Sequence, residues 1–203
     1  PTSEQGKITK STPEGSLDYS FNPVSLALGA EATFVARTID SDRKHMTDVL
    51  RAAAHHEGTS LVEIYQNCNI FNDGAWEPLK DGDTRDDMMM RLEHGEPIRF
   101  GKDMEKGVIR TSEGHIAVAD VAEVGEDAVI RHDAHAKDPG LAFALSRLSN
   151  PRTLENTPIG IFRAIERPSY DRLVREQLAE VQAKHGEGDL QSLLNGGDTW
   201  NVS

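Results

Sequence analysis

The apolar and polar positions in the first third of the chain predict helices alternating with strands. Asn22-Pro23 is typical of a helix start, because asparagine accepts hydrogen bonds from the first unbonded N–H groups and proline fits the first turn. β-Branched and aromatic runs then predict strands. The predicted elements are a helix from Asn22 to Gly29, a strand over Thr33–Ile39, a helix over Arg43–His56 and a strand over Ser60–Gln66. Two strands joined by a helix run parallel, so the pattern predicts an α/β sheet.

The remainder of the chain predicts shorter elements. They are a helix over Asp83–Leu92, strands over Pro97–Gly101, Gly107–Thr111 and Asp127–His132, an apolar helix over Leu141–Leu148, and one amphipathic helix over Tyr170–His185. An α/β domain usually has four to six strands, and the first 66 residues supply two. We therefore expect either that the sheet is completed elsewhere or that this segment is a lid. The opening loop over residues 1–22 has nothing before it to lie against, which favours a truncated chain.

Charge excludes several classes of partner. The 203 residues carry 22 Lys and Arg against 34 Asp and Glu, a formal net charge of -12. Such a chain repels nucleic acids and anionic membranes unless a basic patch overrides the repulsion, and we find no such patch. No apolar run approaches the ~18 residues that a membrane span requires, and no signal peptide is evident. We expect a soluble, cytoplasmic protein that binds neither nucleic acid nor membranes.

A single cysteine, Cys68, limits the metal chemistry of the chain. One thiol forms no internal disulfide, and it holds neither zinc nor an iron-sulfur cluster without ligands from elsewhere. Cys68 directly follows the predicted strand Ser60–Gln66. Because open α/β sheets place ligands at the carboxyl ends of their strands, this position is compatible with a reachable thiolate. A buried thiol that only packs is the alternative.

Several cations and histidines are weaker candidates. Lys44 opens the helix after the first strand, where a cation is unfavourable for the helix dipole, so it either faces an anion or is simply solvated. Lys7 and Lys10 allow the same two interpretations. His132 and His135 flank a carboxylate, Asp133, but three-residue spacing on a strand separates their side chains, and no third metal ligand is evident.

Longer runs of the chain carry a family resemblance. These are residues 1–76, which include SLVEIYQNCNIFNDGAW, and then HGEPIRFG, DPGLAFALSRLS, PIGIFR, RPSYD and LQSLLNGGDTW. Together they strongly resemble the later half of the beta subunit of 2-oxoacid:ferredoxin oxidoreductases, especially the 2-oxoglutarate type of actinobacteria. The resemblance covers essentially the whole chain.

The resemblance implies a fold and a division of the chain. The fold class is α/β: the C-terminal part of a doubly wound thiamine-diphosphate-binding domain, followed by a smaller α+β C-terminal subdomain. The implied segments are residues 1–67 for the first, 68–150 for the second, and 151–203 for a C-terminal extension with one helix. The Gly-Asp-Gly metal motif of the family and its companion Asn lie upstream of the first residue of this chain.

The resemblance also implies site residues, cofactors and partners. Cys68 matches the fourth cysteine of the [4Fe-4S] cluster of the family, whose other three cysteines are absent here. Lys44 matches a functional lysine, and Thr2 and Ser3 match the end of the active-site loop over thiamine diphosphate and Mg2+. The implied reaction converts 2-oxoglutarate, or a related 2-oxoacid, and CoA to an acyl-CoA, with electrons passed to ferredoxin and an alpha subunit completing the site. A non-catalytic fragment that retains only subunit contacts is the alternative.

Overall fold

A computed structural model of the chain describes residues 4–70, 72–198 and 200. The chain divides into two compact units. The first ends at Glu166 and the second begins at Arg167. Thr2 and Ser3 lie outside the described residues. None of the helices in the described part is both long and apolar enough to span a membrane.

Helices and strands alternate along the first unit. Its helices are α1 (Pro23–Gly29), α2 (Arg43–His55), α3 (Arg85–Met88), α4 (Val121–Val124) and α5 (Gly140–Ser146), with 3-10 turns at Glu77–Leu79 and Glu126–Ala128. Its strands are β1 (Phe34–Ile39), β2 (Ser60–Tyr65), β3 (Met89–Leu92), β4 (Arg99–Phe100), β5 (Lys106–Arg110), β6 (Ile116–Asp120) and β7 (Thr157–Ala164). The second unit contains α6 (Tyr170–His185) and α7 (Leu190–Leu194).

The main sheet has four strands in the order β2-β1-β7-β3. Strands β1 and β2 are parallel and joined through α2, which confirms the predicted crossover. Strand β7 is antiparallel to β1 and parallel to β3, so later segments of the same chain extend the sheet beyond its first two strands. Alternate side chains of β1 serve two cores: Val35 packs with α1 and α5, and Phe34 and Ala36 pack with Val49 of α2. Helices therefore cover both faces, and the α/β fold class is confirmed.

A second, smaller sheet is antiparallel and has the order β4-β5-β6. Strands β5 and β6 pair along five residues each. Short helices accompany this sheet, as expected for an α+β segment. The three segments predicted from the sequence stay a prediction. Residues 151–203 contain strand β7 and the short helix α7 in addition to the predicted amphipathic helix, which is α6.

Two predicted elements are wrong. The expected helix over Asp83–Leu92 ends at Met88, and the strand β3 follows it, because Met89, Met90 and Leu92 are buried beside β7. Tertiary pairing therefore outweighs the helix preference of methionine and leucine. The expected strand over Asp127–His132 forms a 3-10 turn and then single bridges. Backbone hydrogen bonds link it to two other segments. The carbonyl of Ile130 accepts from the N–H of Ile98, and the N–H of Ile130 donates to the carbonyl of Val108.

Candidate functional site

The first unit contains a cavity of about 620 Å³ beside the carboxyl end of β2. Charged, aromatic and sulfur-containing side chains share its wall, among them Arg37, Glu63, Tyr65, Cys68 and Trp76. The sequence placed Cys68 at this edge of the sheet, and the structure brings a buried ion pair and two aromatic rings to the same cavity. This is the edge at which α/β sheets carry ligands.

A buried ion pair joins β1 to the edge strand β2 at the cavity. Arg37 of β1 and Glu63 of β2 are direct neighbours in the parallel register, and Nε of Arg37 lies 2.6 Å from Oε2 of Glu63. The Arg37 side chain is only 2% exposed, and its Nη1 also donates to the carbonyl of Pro158 at 3.4 Å. Sequence reasoning missed this pair. The available signal was a single charged residue inside each of two mainly apolar parallel strands.

An aromatic stack extends from this ion pair. The guanidinium carbon of Arg37 lies 5.1 Å from the Tyr65 ring centre, and the Tyr65 and Trp76 rings stack with centres 3.9 Å apart. Burial raises the pKa of Tyr65 to about 12. The phenol therefore stays protonated at neutral pH, so its role in the wall is packing rather than general-base chemistry.

Cys68 lies in the loop after β2 and is half-buried. Its carbonyl accepts from the N–H of Asn72 at 2.9 Å. A [4Fe-4S] cluster takes four thiolates, and this chain has one cysteine. Its placement on a cavity wall at a sheet edge fits one ligand of such a cluster. Within the described residues, no group of three or more His, Cys, Asp or Glu side chains is arranged to hold a metal ion.

The other predicted site residues lie in different surroundings. The Lys44 side chain is 92% exposed and pairs with Asp48 at 3.4 Å, one turn along α2. Lys44 is not among the residues that line the Cys68 cavity in the described part of the chain. Lys7 donates to Oδ1 of Asn72, four residues after Cys68, and pairs with Glu4 at 3.1 Å. Lys10 is exposed.

The histidines bind backbone carbonyls of β7. Nε2 of His132 donates to the carbonyl of Ile161 at 2.6 Å, and Nδ1 of His135 donates to the carbonyl of Ala164 at 2.5 Å. The His135 ring lies against His94, with centres 4.3 Å apart. These contacts attach the segment around Asp133 to the main sheet, so the imidazoles act as structural donors.

His132 makes the stability of the fold dependent on pH. Burial lowers the pKa of His132, so the unfolded chain takes up a proton at a higher pH than the folded chain does. The stabilisation is complete above the ordinary histidine pKa of about 6.5 and is lost as pH falls below it, by at most about 1.4 kcal/mol per pH unit for one proton. Burial acts in the same direction on His45.

We expect His132→Gln, which keeps a donor for Ile161, to reduce the loss of unfolding free energy between about pH 7.5 and pH 5.5. Urea unfolding at both pH values measures the difference, with His115→Gln, at an exposed histidine, as the control. Equal pH dependence in the wild type and in His132→Gln would show that His132 takes up its proton at the same pH in the folded and the unfolded chain, which would contradict the lowered pKa.

The chain is similar in sequence to known proteins, although no protein-family model matches it. The chain is 54% identical over 204 residues to the 2-oxoglutarate oxidoreductase subunit KorB of Mycobacterium tuberculosis, covering 100% of the chain and 54% of that protein. It is 28% identical over 140 residues to a 2-oxoacid:ferredoxin oxidoreductase subunit beta of Saccharolobus solfataricus, covering 58% of the chain and 46% of that protein.

A solved structure shares the fold. A 2-oxoglutarate:ferredoxin oxidoreductase from Magnetococcus marinus, described with 2-oxoglutarate, coenzyme A and succinyl-CoA bound, superposes with a TM-score of 0.59 at 20% identity. The match covers 98% of this chain and 52% of that chain. The chain thus spans about half the length of these two curated relatives.

Proposed function

We infer the function of this chain from the family to which it belongs, the beta subunits of the 2-oxoacid:ferredoxin oxidoreductases. We propose that it forms part of an enzyme that oxidatively decarboxylates 2-oxoglutarate, or a related 2-oxoacid, and yields an acyl-CoA and reduced ferredoxin. The observation that carries the proposal is 54% identity, over the whole chain, to a 2-oxoglutarate oxidoreductase subunit.

Cys68 is the proposed point of electron exit. A [4Fe-4S] cluster, when bound, accepts electrons one at a time. Cys68 would supply one of its thiolates, with the other three from outside this chain. Two features support this role: the thiol belongs to a half-buried residue on a cavity wall, and the aromatic rings of Tyr65 and Trp76 line the same wall. Aromatic and buried surroundings limit the access of water to such a site.

The thiamine site requires residues beyond those described. Thiamine diphosphate supplies the electron sink for decarboxylation, and Mg2+ holds its diphosphate. Thr2 and Ser3 are the proposed contacts of this chain with the cofactor. An alpha subunit is the proposed partner that completes the site, and ferredoxin is the proposed electron acceptor. By itself this chain should therefore catalyse no decarboxylation of 2-oxoglutarate.

Lys44 is the proposed cationic group for the substrate carboxylate. It lies in the first turn of α2, where a cation is unfavourable for the helix, and its exposed ammonium has only a weak ion pair with Asp48. The ammonium therefore remains available to an anion brought by the rest of the enzyme. Its exposure also means that its removal should leave the fold intact.

The test uses the complete subunit assembled with its alpha subunit. The rate of CoA- and 2-oxoglutarate-dependent ferredoxin reduction is measured for the wild type, Lys44→Ala and Arg51→Ala. We expect Lys44→Ala to lower kcat/KM by at least about tenfold, the worth of one charged hydrogen bond. Arg51 is the matched control, because it also lies on α2 and pairs with Asp48, at 3.2 Å. Equal rates in all three would show that Lys44 is a solvated lysine with no role in turnover. An inactive wild type would contradict the proposed function.

A further inference from the structure

The side chain of Asn67 connects the two sides of the loop that carries Cys68. We call residues 66–70 and 72–76 the cysteine loop. The Asn67 Oδ1 accepts from the N–H of Gly74 at 2.9 Å, and its Nδ2 donates to Oδ1 of Asn69 at 2.6 Å and to Oδ1 of Asp73 at 2.8 Å. One carboxamide thus links the start of the loop, at Asn67, both to Asn69 just after the cysteine and to its far end at Asp73 and Gly74.

The ends of the cysteine loop are also attached to the body of the first unit. The N–H of Asn67 donates to Oδ2 of Asp40 at 3.2 Å, and Oδ1 of Asp40 lies 3.1 Å from Nζ of Lys80. At the other end, Nε1 of Trp76 donates to the carbonyl of Gln66 at 3.0 Å. The residue before Cys68 is therefore held through both its backbone and its side chain.

We propose that Asn67 is the positioning residue for Cys68, setting the direction of the thiol toward the cavity. Cys68 is bonded directly to Asn67, so the orientation of its Cα–Cβ bond follows from the backbone that Asn67 anchors. A metal ligand carried on a loop needs such support to hold a productive geometry. The inference rests on the proposed function in one respect, namely that the thiol of Cys68 serves as a cluster ligand.

Hydrogen-bond chemistry explains why this position holds asparagine. The site presents one donor, the N–H of Gly74, and two acceptors, the Oδ1 atoms of Asn69 and Asp73. Asparagine supplies the matching acceptor and both donors. Aspartate has the same shape but lacks donors when ionised, and it would place a second carboxylate against Asp73.

The first test measures alkylation of Cys68 by iodoacetamide, a neutral probe, in the 203-residue chain. We expect Asn67→Asp to loosen the loop and to alkylate at least about fivefold faster than Asn69→Asp. The second variant adds the same negative charge on the other side of Cys68 and keeps the oxygen that accepts from Asn67, so it controls for the added charge. Equal rates in the two variants would overturn the proposal.

A charge swap keeps the test decisive if Asn67→Asp disturbs folding. The double variant Asn67→Asp with Asp73→Asn restores the net charge and reverses the donor and the acceptor between the two side chains. We expect its alkylation rate to return to within about twofold of the wild type, because one hydrogen bond joins the same two positions. An alkylation rate that stays as high as in Asn67→Asp would contradict the positioning role.

The complete subunit separates this inference from the proposed function. With a reconstituted cluster, Asn67→Asp should alter the cluster EPR spectrum or shift its reduction potential further than Asn69→Asp does, because the electrostatic effect of the added charge is common to both variants. If Cys68 is alkylated faster in Asn67→Asp than in Asn69→Asp but Cys68→Ala keeps its cluster, Asn67 positions Cys68 and Cys68 is not a cluster ligand. If the two alkylation rates are equal but Cys68→Ala loses its cluster, Cys68 is a cluster ligand and Asn67 does not position it.

Discussion

The Cys68→Ala variant of the complete subunit should lose the visible absorbance and the EPR signal of the [4Fe-4S] cluster. A methyl group offers no lone pair to iron, so one corner of the cluster would lack its thiolate. Because the proposed electron path leaves through this cluster, ferredoxin reduction should fall by more than about 100-fold. Removing even an outer-shell partner of a metal commonly costs about 10–100-fold in metal affinity or activity. Anaerobic spectroscopy and a ferredoxin reduction assay on the same sample measure both effects.

A stability measurement distinguishes loss of a ligand from loss of the fold. Cys68 is a half-buried loop residue, so Cys68→Ala should change the unfolding free energy of the 203-residue chain by less than about 1 kcal/mol. A cluster spectrum identical to that of the wild type would exclude Cys68 as a ligand. Loss of the cluster with unchanged stability would support the assignment.

The largest effect on stability should come from Gly160→Ala. Gly160 lies in β7, between β1 and β3, and has a φ of +137°. A Cβ atom there would lie 2.5 Å from the carbonyl oxygen of Leu92 and 3.0 Å from its Cβ, in the neighbouring strand. Because the obstacle is backbone in a paired strand, no side-chain rotation relieves it. We expect a loss of at least about 2 kcal/mol, from strain in φ and from the clash.

Urea unfolding monitored by circular dichroism tests this expectation. Gly82→Ala is the control, since a Cβ at Gly82 meets no atom within 4 Å. Its midpoint should stay close to that of the wild type. An equal midpoint in Gly160→Ala would show that β7 separates from β3 at little cost. The strand matters to the site as well, because the carbonyl of Pro158 in β7 accepts from the buried Arg37.

Local patterns were sufficient for the first part of the fold. Helix α2 begins at Arg43 behind its Asp42 cap, and the strands on either side of it match the β-branched runs, because capping and strand preference act over a few residues. Strand β7 was not predicted. Its segment contains Pro158 and Gly160, which weaken a strand prediction, and its partners β1 and β3 lie far away in sequence.

In the candidate site, too, only the features that depend on local sequence could be predicted. The position of Cys68 after a strand could be predicted, since the end of a strand is a local property. The contact of Arg37 with Glu63 depends on the register between two strands, and the carboxamide of Asn67 reaches Gly74 only because the loop turns back on itself. Neither register nor loop closure follows from the pattern of single residues.

By itself, the sequence determined the parallel β1-α2-β2 unit, the placement of the single thiol at a strand end, and the family through its resemblance along the whole chain. Each depends on neighbouring residues or on direct sequence similarity. Only the tertiary structure decided that β7 and β3 extend the sheet, that an ion pair lines the same cavity as Cys68, and that the Asn67 side chain bonds across its loop. These features depend on contacts between distant segments, which form when burial and hydrogen bonding together outweigh local preference.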